Sequence, residues 1–248
     1  LDNRRIDEMG QLSGRFNRMA QRLRQNLKDS LRQQRELNEA QIRMMQAQLN
    51  PHFLYNTLDC MKWLGVANHV PQIADMSTDL AALLRAGISG SELIPLEDEL
   101  ELVRQYLNIQ EIRFEDRFVC EIDVDERFQH CIVPKMVLQP LVENAIIHGV
   151  ADLEEGYIKL WAEADGGDLL LRVSDNGQGI APEVLARLEQ HQDIPGGHLG
   201  LTNVDHIIRL YYGADYGLSA SSDGKTGSCV TLRLPMKKGD GYAEGTDR

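Results

Sequence analysis

The chain has no run approaching the roughly eighteen consecutive apolar residues that a membrane-spanning helix requires, and no signal-peptide pattern. Cysteine is scarce. Cys60, Cys120, Cys131 and Cys229 lie far apart, with no CxxC or His-Cys spacing. This argues against a zinc site or a disulfide framework and for free thiols in a reducing compartment. Positive charge is also in short supply: 26 Lys and Arg face 38 Asp and Glu, for a formal net charge of -12. A nucleic-acid surface needs clustered Lys and Arg, so no nucleic-acid partner is expected, although the first 35 residues are locally rich in Arg. What remains is the composition of a soluble globular protein, 42% hydrophobic and 26% charged over 248 residues, enough for one or two domains with a buried core. The chain begins without Met and in mid-pattern, so a fragment of a longer protein is expected.

The stretch from Pro140 to His148, PLVENAIIH, reads as an apolar helix with two polar residues on one face. Asn144 and His148 are four apart and therefore stack on the same side. Leu141, Val142, Ala145 and Ile146 suit the buried side, and a polar pair among them calls for a partner. Further on, Leu169, Leu170, Leu171 and Val173 form a short apolar run that reads as a strand, and SDNGQGI (Ser174 to Ile180) follows it directly. Asp175 is a fixed acceptor where that strand stops, suited to an exocyclic amine, and glycines there let a ligand approach the backbone closely. The second glycine group, GGHLGL (Gly196 to Leu201), can wrap phosphates with backbone N–H groups at the start of a helix expected over Leu201 to Tyr212.

In this order the three stretches resemble the N box and the two glycine boxes of the GHKL ATP-binding fold shared by histidine kinases, gyrase and MutL. The stretch QAQLNPHFLYNT (Gln46 to Thr57) resembles the phosphoacceptor segment of the LytS/YesM-type sensor histidine kinases, and IPLEDELELVRQYLNIQEIRF (Ile94 to Phe114) matches the same subfamily. The resemblance covers residues 44 to 235.

Before it, Leu12, Phe16, Met19, Leu23, Leu27 and Leu31 recur at steps of three and four, and the stripe resumes at Ile42, Met45 and Leu49. The steps are those of a coiled-coil seam with a stutter, interrupted at Gln34 and Asn38; the alternative is a single amphipathic helix, but so long a stripe calls for a partner to bury it. The opening Ile6 to Leu23 resembles the last helix of a HAMP domain, which in that family follows a transmembrane helix. The resemblance therefore implies the cytoplasmic portion of a cell-membrane protein whose anchored region is absent. Pro51 breaks the α preference of Asn50 and puts His52 just past a kink. A second helix is expected over residues 71 to 86, and two such helices per chain would make a four-helix bundle in a homodimer.

The fold class expected is α+β: a long N-terminal helix or coiled coil and a dimeric helical-hairpin bundle, followed by a GHKL α/β sandwich. The domains expected are residues 1–25 (HAMP-like helix end), 26–90 (coiled coil, dimerisation and histidine phosphotransfer), 91–236 (ATP-binding) and 237–248 (a disordered tail). Within the third, a helix is expected from Leu96 to Ile112, a strand from Phe118 to Val124, and Pro134 in the first turn of the helix that carries Asn144. Tyr157 to Ala164 and Asp168 to Val173 should pair around a Gly166-Gly167 turn, and Leu218 to Ala220 should pair with Ser228 to Leu234.

The resemblance implies a sensor histidine kinase of a two-component system, in which ATP phosphorylates His52 and the phosphoryl group passes to an aspartate of a response-regulator receiver domain. It assigns Asn144 to magnesium through its side-chain oxygen, Glu143 more weakly to the metal's outer shell, and His148 to a phosphate. It assigns Asp175 to adenine, Gly177 and Gly179 to the pocket floor, and Gly196, Gly197, Gly200 and Leu201 to the lid and the helix behind it. His198 replaces the usual central glycine, either to contact phosphate or to restrict the lid. Asn56, one turn after His52, either orients water for dephosphorylating the partner or caps the kink at Pro51. Pro140 stands where GHKL hydrolases carry a water-activating Glu, which disfavours a plain ATPase. The alternative from another class is a catalytically weak nucleotide-binding dimer acting as a scaffold.

Overall fold

The computed structural model describes residues 51–88, 90–115, 117–192 and 199–237. The HAMP-like stretch, the coiled-coil seam, Gly196, Gly197, His198 and the tail beyond residue 237 lie outside the described residues. Contacts divide the chain into two compact units, Leu1–Leu54 and Tyr55–Arg248. Of the first, only Pro51 to Leu54 is described, as the opening of helix α1 (Pro51–Ala67).

Helix α1 ends in a Schellman motif. His69 takes the left-handed conformation (φ 56°), its N–H donates to Val66 O at 3.2 Å, and the N–H of Val70 donates to Gly65 O at 2.9 Å. Gly65 is needed there because a Cβ would lie 2.9 Å from the backbone N of Ala74. The chain then enters α2 (Pro71–Ile88), which packs on α3 (Leu96–Arg113); these two helices match the expected ones within two residues at each end. Leu83 of α2 joins the main core, and Asn108 Nδ2 donates to Asp79 Oδ2 at 3.3 Å.

Around α3 the chain forms strands β1 (Leu93–Pro95), β2 (Phe118–Asp123) and β3 (Ile132–Pro134), with the short helix α4 (Glu126–Gln129) between the last two. Next come α5 (Gln139–Asn144) and a π-helical turn (Ala145–Val150). Strands β4 (Gly156–Asp165) and β5 (Asp168–Asp175), helices α6 (Pro182–Glu189) and α7 (Leu199–Tyr212), and strands β6 (Gly217–Ser222) and β7 (Ser228–Pro235) complete the fold. β1 and β3 form a small antiparallel pair, and the main sheet runs β2-β4-β5-β7-β6. Only the β2-β4 neighbours in it are parallel, so the sheet is mixed as expected. Alternation decides which face is covered. Ile158, Leu160, Leu169, Leu171, Val173, Val230 and Leu232 are all buried. Apart from Leu170, which is also buried, their neighbours on the other face are polar or half-exposed and carry ion pairs such as Lys159 to Glu121 at 2.8 Å and Arg233 to Asp168 at 2.6 Å. One apolar face under helices and one solvated face make the expected α/β sandwich.

The expectation for Pro134 requires correction. It ends β3, and the proline in the first turn of the Asn144 helix is Pro140. Val133 is fully buried and β3 pairs with β1, so a short strand pairing overrides the helix-start preference of Pro134. Helix α6 and the β1-β3 pair were not among the expected elements; three-residue strands show almost no periodicity in sequence.

Candidate functional site

The helix that bears Asn144 is held at its start by a residue from elsewhere. Leu138, its N-cap position, offers no side-chain cap. Instead Glu99 of α3, with no solvent exposure, accepts the N–H of Leu138 through Oε1 at 2.9 Å and that of Met136 through Oε2 at 2.7 Å. Burial raises the pKa of Glu99 above the ordinary carboxylate range, against the opposing effect of the Leu138, Met136 and Val137 N–H groups. Pro140 adds no orphan N–H in this turn.

Leu138, Leu141, Val142 and Ile146 are completely buried. At about 1.5–3 kcal/mol each, their packing anchors the helix on which Asn144, 7% exposed, is carried. Directly after Asn144 the helix widens into the π turn, a feature common at functional sites. Asn144 and His148 both face a cavity of about 340 Å³, and both also line a neighbouring one of about 270 Å³ with Pro140, Glu143, Gly200 and Leu201. The common face expected from their spacing is therefore observed. Glu143 is exposed, and Gly200 lies in the first turn of α7, where a Cβ would meet that of Pro140 at 3.1 Å.

Opposite stands the loop after β5. Asp175 Oδ1 accepts the N–H of Gly177 at 2.9 Å, and Oδ2 accepts the hydroxyl of Ser228 at 2.5 Å. Asp175 is half-buried and is not itself among the residues lining the larger cavity; Gly149 and Ser228, which touch it, are. Gly177 is buried against the next turn of backbone, where a Cβ would come within 2.2 Å of Gly149 O. Gly179 takes φ 79°, and a Cβ there would be 2.6 Å from Ser222 Oγ. That hydroxyl joins three points of backbone: it donates to Gly227 O at 2.7 Å and accepts from Ile180 N–H at 2.9 Å and Gly224 N–H at 3.1 Å. The pocket floor is thus tied to the β6-β7 turn.

Gly149, Gln178, Ser222 and Ser228 shape this site without having been singled out in the sequence. Gly149 and Gln178 are adjacent to assigned residues and could have been included. Ser228 meets Asp175 only because β5 and β7 are neighbours.

His52 and Asn56 are both exposed side chains of α1. The site suits magnesium with a nucleotide, since the Asn144 carboxamide is a neutral oxygen donor of the kind that ion accepts beside phosphate and water oxygens. Among the described residues no group of three His, Cys, Asp or Glu side chains is placed to hold a metal by itself. No helix among the described residues is long and apolar enough to cross a membrane.

Residues 40–118 match the histidine kinase family, and residues 132–238 match the family of histidine kinase-, DNA gyrase B- and HSP90-like ATPases. The sensor histidine kinase YesM of Bacillus subtilis is 34% identical over 233 residues, 93% of this chain and 39% of its own length. Sensor histidine kinase YpdA of Escherichia coli is 34% identical over 71% of this chain and 31% of its own length. Sensor protein LytS of Bacillus subtilis is 30% identical over 87% of this chain and 37% of its own length. The chain therefore spans well under half the length of these relatives.

Proposed function

Because the chain belongs to the sensor histidine kinase family, we propose that it transfers the γ-phosphoryl group of ATP to a ring nitrogen of His52, yielding ADP and phosphohistidine. The observation that carries this reading is the meeting of Asn144 and His148 with the Asp175 to Gly179 loop around one cavity. Asp175, against Gly149 and Ser228 of that cavity, accepts the exocyclic amine of adenine, and Gly177 and Gly179 form the floor beneath the base. Asn144 offers its carboxamide oxygen to magnesium, with Glu143 at the outer shell, and His148 meets a phosphate. Magnesium bound with the nucleotide supplies charge neutralisation on the phosphate oxygens. Gly200 and Leu201 present the start of α7 to the phosphates, and Gly196, Gly197 and His198 belong to the segment that covers them.

Transfer to a protein side chain, not to water, is supported by Pro140 in the wall of the second cavity, since its ring cannot take a proton from water. The phosphoramidate then gives its phosphoryl group to an aspartate carboxylate of a receiver domain, and Asn56 orients water when that product is hydrolysed. Met61, Trp63, Leu64, Ile73 and Leu80 leave apolar surface exposed on α1 and α2, which supports a homodimer through the helical hairpin. The whole protein is read as membrane-anchored, with this portion on the cytoplasmic side.

Incubation with γ-labelled ATP and magnesium tests the proposal. Protein-bound label that is lost in acid and kept in alkali is expected; ATP binding without any such label would leave a nucleotide-binding scaffold.

A further inference from the structure

Gly149 occupies the last turn before Val150 in the π-helical segment. Its φ is not in the left-handed region, so the backbone there would accept any L residue, and alanine would favour the helical turn. What excludes a side chain is Asp175. A Cβ at Gly149 would lie 2.7 Å from Asp175 Oδ1, 2.8 Å from its Cγ and 3.2 Å from its Cβ. The carboxylate has little freedom to give way, because Gly177 N–H holds Oδ1 and the Ser228 hydroxyl holds Oδ2. The same turn is fastened to the loop a second time, where Gln178 Nε2 donates to His148 O at 3.0 Å. Gly149 and Ser228 both line the larger cavity and both stand against Asp175.

We propose that Gly149 is a specificity-determining residue: by lacking a side chain it keeps the passage from the cavity to the Asp175 carboxylate open and holds that carboxylate in the orientation that reads the base. This rests on the nucleotide reading above and assigns base selection to the pair, not to the aspartate alone. A methyl group at 149 turns the carboxylate away from its two donors and from the ligand's amine. The part of the site that meets phosphate and metal, Asn144 and His148, lies earlier in the same helix and keeps its own side chains in the cavity.

The test is the magnesium-dependent affinity of the full chain for ATP, GTP and inorganic triphosphate in four forms: unmodified, Gly149→Ala, Asp175→Ala and the double variant. The unmodified protein is expected to prefer ATP. Gly149→Ala is expected to lower the ATP-to-GTP ratio by about 10- to 100-fold, the change that follows from losing a hydrogen bond to a charged group. Triphosphate affinity should hold, and the double variant should match Asp175→Ala, because both changes act through one carboxylate. An unchanged ratio in Gly149→Ala, or an equal loss for all three ligands, overturns the proposal while leaving the nucleotide site in place. Equal binding of ATP and GTP by the unmodified protein overturns the nucleotide reading itself. If Gly149→Ala fails to fold, thermal unfolding of Gly149→Ala with Asp175→Gly decides: recovery supports the clash described here, and no recovery rules it out.

Discussion

The Glu99 carboxylate accepts the backbone N–H of Leu138 at 2.9 Å, so that a side chain on α3 caps the helix on which Asn144 is carried. Replacement by Ala leaves the buried N–H of Leu138 and the part-buried N–H of Met136 without that acceptor. Glu99→Ala is expected to lower the unfolding free energy by roughly 2–5 kcal/mol in urea titration, the range for an unsatisfied buried polar group together with a lost cap. A change within 0.5 kcal/mol or so, typical of a surface site, would contradict this role.

The same residue fixes the sign of a pH effect. Its pKa is raised in the folded protein by burial, so the stability contributed by its protonated form is fully present below the unfolded carboxylate value and is lost as pH rises through the folded one. Glu99→Gln does not titrate. The stability of the unmodified protein relative to Glu99→Gln should therefore be greater at about pH 4 than at about pH 7. Urea midpoints of both proteins at the two pH values measure it, and the opposite trend would mean that the three N–H groups outweigh burial.

Ser222→Ala removes the acceptor of Ile180 N–H and Gly224 N–H and the donor to Gly227 O. The pocket floor then loosens from the β6-β7 turn. Nucleotide affinity should fall about 10-fold, with a stability loss of about 1–2 kcal/mol. Titration calorimetry and thermal unfolding on one preparation give both numbers.

Asn144→Ala should act through the metal. Nucleotide affinity in the presence of magnesium is expected to drop roughly 10- to 100-fold, and affinity in chelator should change little. Equal losses in both conditions would make Asn144 a packing residue.

Much of this was legible in the chain. The apolar run in β5, the Gly166-Gly167 turn that joins it to β4 and the last hairpin that contains β7 placed three central strands. The four-residue spacing of Asn144 and His148 predicted their common face, and both line the same cavities. What was not legible depends on contacts distant in sequence. Nothing near Leu138 announces that its cap arrives from Glu99, nor does anything near Asp175 announce Ser228. The widening of the helix after Asn144 leaves no mark in a pattern of apolar residues, and with it went the role of Gly149. Pro134 was misplaced because the β1-β3 pairing that claims it is only three residues long.

If ATP held at Asn144 and Asp175 phosphorylates His52, the protein-bound phosphoryl group must disappear with that imidazole while the nucleotide site persists. The most direct measurement is the acid-labile, alkali-stable label retained after incubation with γ-labelled ATP, compared between the unmodified protein and His52→Ala, with ATP affinity measured on both. The account predicts label in the first, none in the second, and affinities equal within about two-fold, well under the roughly 1.4 kcal/mol of a ten-fold change. Label retained by His52→Ala would place the acceptor on another residue and contradict it.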